Sequence, residues 1–166
     1  MLAAAPYFSR YILGVADFGI VFGVLLVPAV IFMPLWAFVG HRIGKRRGFI
    51  ISSFVFMAGL VASLAAHVVP LAAALALVAV TSVGYAGMQM FPLAMLPDTI
   101  SDDASRTGSQ RAGAFTGVWT AGETAAFAIG PALVLLLLAV TGFISTTAGQ
   151  TVTQPDSAIL GVTLAF

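Results

Sequence analysis

Glu123 is the only charged residue between positions 112 and 143, an apolar run that also holds Trp119 and three threonines spaced four apart, Thr116, Thr120 and Thr124. A carboxylate inside such a run is costly in a bilayer and marks a place where a solute or a coupling ion is handled. On a helix, side chains four residues apart share a face, so the threonines form one row and Trp119 with Glu123 a second row beside it. With a rise of about 1.5 Å per residue, Glu123 lies roughly 18 Å from the Arg111 end, near the bilayer centre. The chemistry on offer is non-covalent: ring stacking on Trp119, hydrogen bonds to Thr120 and Thr124, and a Glu123 carboxylate that accepts a bond or takes up a proton. Two plainer roles compete with it. Glu123 can pair with a basic or backbone group on another helix, and a membrane threonine commonly bonds its own helix.

Gln89 is an amide flanked by Met88 and Met90 in a second apolar stretch, with Tyr85 one turn away. It either contacts a solute or cross-links helices, and interhelical bonding is a common use of such an amide. A third group of polar residues sits between the apolar runs: Arg42, Lys45, Arg46 and Arg47 in one connection, and Asp98, Asp102, Asp103, Arg106 and Arg111 in another. Asp98 is placed to bond with the basic cluster and close one side of the bundle as a gate. Asp102 and Asp103, four and three residues before Arg106, suit local helical pairs worth a few tenths of a kcal/mol.

The elements that must position these residues are membrane helices. Of the 166 residues 60% are apolar and 8% are charged, against about a quarter charged in a soluble domain. Spans are predicted at about 18–40, 48–68, 71–97 and 112–143, each close to or above the roughly 20 residues needed to cross the hydrocarbon core. Gly84, Gly87 and Pro92 interrupt the third without ending it, as membrane helices allow. Gly130 and Pro131 predict a kink in the fourth. Asp17 is placed to cap the first span, and His67 falls in an outer turn before Pro70. Gly19 with Gly23, and Gly59 with Ser63, have the small-residue spacing of close helix contacts.

The segments 1–12 and 158–166 are apolar but too short to span, and the ends read as cut from a larger protein. The expected fold class is therefore an all-α membrane protein with four complete transmembrane helices and two partial ones. Both basic connections fall on one side, and the excess of Lys and Arg predicts that loops 41–47 and 98–111 are cytoplasmic.

Several classes are excluded or disfavoured. The formal charge of +1 gives no basic footprint for nucleic acid. Cysteine is absent, which removes disulfides and thiolate chemistry. No carboxylate or histidine set has metal-ligand spacing, no Ser-His-Asp set lies on one side of the membrane, and no phosphate loop is present, so neither an enzyme nor a bound cofactor is expected. MLAAAPYFSR has no basic residue ahead of its short apolar run and does not read as a cleavable signal.

W-x4-H-R-I-G-K-R-R from Trp36, the segment PDTISDD from Pro97, and TG-x2-R-x-G-x3-G-x-W from Thr107 follow one another in that order. Together they resemble the glycoside-pentoside-hexuronide:cation symporters, the melibiose-permease-like branch of the major facilitator superfamily. The similarity covers nearly the whole chain and matches the C-terminal six-helix half, from the end of helix seven to the start of helix twelve.

The resemblance implies two six-helix halves, a solute site between them near the midplane, and alternating access. It also implies symport of a sugar or glycoside driven by sodium or protons, in a plasma (inner) membrane, with an N-terminal half as partner. Trp119 would then stack on a sugar ring. Thr124 stands where many members of the family carry a lysine, so this chain lacks a fixed cation beside Glu123. A lipid or lysolipid carrier of the same branch, and a small non-transporting bundle that assembles with partners, are the alternatives.

Overall fold

The computed structural model describes residues 3–15, 18–66, 68–145 and 153–165. The expected cap Asp17, the outer-turn residue His67 and much of the polar connection after residue 145 lie outside them. Among the described residues the chain is all helix, in the order α1 (Ala5–Tyr11), α2 (Phe18–Ile43), α3 (Lys45–Ser63), α4 (Leu71–Thr107), α5 (Ala112–Val140) and α6 (Asp156–Ala165). The middle four are long and apolar enough to cross a membrane. α1 and α6 are the two short pieces.

Two boundaries correct the sequence expectation. The basic segment 41–47 is not a loop: α2 runs to Ile43 and α3 starts at Lys45, leaving Gly44 alone between them. Gly44 has φ 89°, a conformation that side chains resist, so glycine lets the chain reverse in one residue. The stretch 98–107 is not a loop either, because α4 continues through Pro97 to Thr107. Pro97 removes one helix hydrogen bond but does not stop the helix. Termination falls to Gly108, which is left-handed at φ 68° and donates its N–H to the Ala104 carbonyl at 2.9 Å. At 37 residues α4 is about 55 Å long, so its last turns extend past a hydrocarbon core about 30 Å thick. α5 likewise runs unbroken through Pro131.

α2, α3 and α4 form the packed body, and small residues let them approach. A Cβ at Gly84 of α4 would lie 2.6 Å from the Phe56 Cα of α3, and one at Gly59 of α3 would lie 2.8 Å from the Thr81 Cα of α4. Gly59 and Ser63 therefore do serve close packing. Gly23 does not, since it has no neighbour within 4 Å.

The fully buried Phe91 ring lies against Gly40 of α2 and Gly48 of α3. It meets Trp36 edge-on, with centroids 5.9 Å apart. Trp36 Nε1 donates to the Val83 carbonyl at 2.8 Å, and Ser82 Oγ donates to the Leu25 carbonyl, tying α2 to α4 twice. Where lipid is as apolar as leucine, such packing rests on dispersion and hydrogen bonds rather than on burial from water.

A second cluster lies at the other end of the bundle. Phe8 of α1, Val21 and Leu25 of α2, Val78 of α4, Leu138 of α5 and Val162 of α6 are buried together. Phe143 stands edge-on to both Tyr7 and Tyr11 at 5.3 Å. Gln154 exchanges two hydrogen bonds with the Ile144 backbone, at 2.9 and 2.8 Å. α5 is anchored there, yet Leu138 is its only buried residue among those described.

Candidate functional site

Between its two ends α5 stands away from α4, and the gap is where the candidate residues meet. Tyr85 and Gln89, one turn apart on α4, face Trp119, Glu123 and Phe127 across a cleft of about 570 Å³. Gly122 and Ala126 supply the small surfaces between those larger side chains. Gln89 Nε2 donates to Tyr85 Oη at 3.1 Å, so this amide bonds its own helix and does not cross-link two. Trp119 Nε1 is buried and has no hydrogen-bond partner among the described residues. Glu123 is exposed and makes no ion pair among the described residues.

Thr120 and Thr124 are not part of that cleft. They line a shallow surface of about 780 Å³ on another side of α5, with Thr116, Gly117 and Ala121. A helix turns 100° per residue, so adjacent rows open onto different neighbours once another helix sits beside one of them. Thr116 also bonds its own helix, its hydroxyl donating to the Ala112 carbonyl at 3.0 Å. The five residues expected to act together thus divide into Gln89, Trp119 and Glu123 on one side and Thr120 and Thr124 on the other. Tyr85 and Phe127 join the first group. Tyr85 was legible one turn from Gln89, and Phe127 lies four residues after Glu123, a spacing that could have indicated it.

At the basic end, Lys45 reaches from the first turn of α3 to α4. Its Nζ lies 2.6 Å from Asp98 Oδ2 and donates to the Ala94 carbonyl at 2.9 Å. The expected contact between Asp98 and the basic cluster is therefore present, and Lys45 supplies it. The side chains are 41% and 60% exposed, so the pair itself stabilises by no more than about 0.2–1 kcal/mol. Arg46 lines the adjoining cleft of about 530 Å³ with His41 and Thr99. Arg42 turns back over the Phe38 ring at 5.0 Å, and Arg47 is exposed.

Arg111, at the start of α5, forks onto Asp103 of α4, with Nη2 2.8 Å from Oδ1 and Nε 3.2 Å from Oδ2. Asp102 takes Arg106 at 2.9 Å. The expectation of two local pairs to Arg106 holds for Asp102 and fails for Asp103. Gly108 turns the chain and brings Arg111 back to the better bidentate geometry. Below this fork a cleft of about 460 Å³, lined by Leu96, Phe115 and Val118, leads to Trp119.

Among the described residues no group of three or more His, Cys, Asp or Glu could hold a metal ion. The cleft offers an indole ring and N–H, an amide, a phenol and one carboxylate, groups suited to non-covalent contact with a polar solute. A search of curated proteins and a search of solved structures each find no match. The family model of the MFS/sugar transport protein matches residues 1–166, and on that match over its whole length the chain belongs to this transporter family.

Proposed function

We propose that the chain acts as the C-terminal six-helix half of a cation-coupled symporter, moving a sugar or related small solute by alternating access. Family membership carries the transporter-type function and the small-molecule solute. The finer reading rests on the cleft between α4 and α5, where Gln89, Trp119 and Glu123 meet at mid-span. A sugar entering it stacks on the Trp119 ring and accepts a hydrogen bond from the unpartnered Nε1–H. Gln89 and Glu123 bond its hydroxyls. Thr120 and Thr124 act on the same solute where the cavity wraps around α5 toward the N-terminal half. The exposed carboxylate and threonines of α5 support that partner surface, since lipid solvates neither well.

The end that carries the two basic segments then faces the cytoplasm, across a plasma (inner) membrane. Lys45 and Asp98 form a clasp that holds α3 to α4 on that side and releases when it opens. The coupling ion is sodium or a proton, and Glu123 is the carboxylate that this half places in the cleft.

The test is uptake of radiolabelled glycosides by proteoliposomes holding the chain with a complementary half, under a sodium or a proton gradient. Either gradient should drive accumulation, and Glu123→Gln should lower it at least about tenfold without changing helix content. No flux under either gradient would reject symport. A second reading, a lysolipid carrier, draws on the apolar cleft below Arg111; lysolipid transfer without sugar flux would select it.

A further inference from the structure

We infer that the cleft between α4 and α5 is built for a protonated amino sugar in preference to a neutral or acidic one, an inference that rests on the solute-site reading above. The first support is charge matching. Asp98, Asp102 and Asp103 are each paired with a basic side chain at one end of the bundle. Glu123 has no such partner among the described residues, and no Lys or Arg lines its cleft. The surplus negative charge of this site sits where a solute would.

The walls supply the second support. Tyr85, Trp119 and Phe127 line the same cleft as the Glu123 carboxylate. Aromatic faces attract a weakly hydrated organic ammonium, and the attraction grows as water is excluded.

Hydrogen-bonding capacity supplies the third. Because Gln89 Nε2 already donates to Tyr85 Oη, the amide oxygen remains as an acceptor and the phenol O–H as a donor. Trp119 Nε1–H is a further donor, without a partner among the described residues. An ammonium group donates to Glu123 and the Gln89 oxygen, while sugar hydroxyls accept from Trp119 and Tyr85. A glucuronate-type acid would bring its charge against Glu123. A neutral sugar would bond the carboxylate through its hydroxyls but bring no opposite charge to it.

Equilibrium binding of radiolabelled glucosamine, glucose and glucuronate to the full chain in lipid nanodiscs tests this. Glucosamine should bind at least about tenfold more tightly than glucose, with glucuronate weakest. Glu123→Gln should erase that preference and Glu123→Asp should retain it, with circular dichroism reporting intact helix in both. Glucose binding as tightly as glucosamine, or a preference that survives Glu123→Gln, overturns the amino-sugar assignment while leaving the solute site standing. If none of the three probes binds, the solute-site reading falls with it.

Discussion

Trp36 and Trp119 present the same indole N–H in opposite circumstances. That of Trp36 donates to the Val83 carbonyl at 2.8 Å inside the packed body, whereas that of Trp119 is buried at the cleft without a partner among the described residues. Trp36→Phe should therefore lower stability by about 1 kcal/mol, seen as an earlier thermal transition in detergent. Trp119→Phe should leave that transition unchanged or slightly later and weaken sugar binding. The two tryptophans could not be told apart in the sequence, because the difference lies in where α4 stands and not in local spacing. The same limit applied to Thr120 and Thr124. Their adjacency to Glu123 on the helix surface was legible, but the side of α5 that α4 occupies was not. That Glu123 is the only charge from 112 to 143 was legible, but whether a basic group on another helix pairs with it was not.

At the scale of elements, the helices were legible from hydropathy and their ends were not. Pro97 followed by Asp98 has the composition of a turn, yet α4 persists for ten residues beyond Pro97. Lys45 braces that stretch at the Ala94 carbonyl and Asp98, and the left-handed Gly108 ends it. A partner on another helix and a conformation at one glycine decided the boundary. Packing follows the same rule, since Gly84 meets the Phe56 backbone while Gly23 meets nothing. Gly84→Ala should cost about 1–3 kcal/mol by forcing α3 and α4 apart, whereas Gly23→Ala should be close to neutral; thermal unfolding of the two variants decides. Asp98→Asn should change stability by less than about 1 kcal/mol but shift the transporter toward its inward-open state. Labelling of single cysteines placed on the basic side reports this cleanly, because the chain has none of its own. Unchanged labelling would remove the clasp from the mechanism.

Considered as a whole, the molecule is a tight body of α2, α3 and α4 with α5 held beside it at its two ends. The Arg111 fork onto Asp103 fastens one end, and the cluster around Leu138 and Phe143 fastens the other. Between them α5 borders the cleft that it shares with α4. Family and architecture were both readable from motif order and hydropathy. The division of α5 into two unlike faces emerged only from its placement.

The most direct test is solute protection at Ala126, which lines the cleft. Ala126→Cys should react with a water-soluble maleimide, and saturating glucose or glucosamine should slow that reaction several-fold, while Ala125→Cys on the threonine side is protected less. Equal reaction with and without either sugar at position 126 would contradict a solute site between α4 and α5.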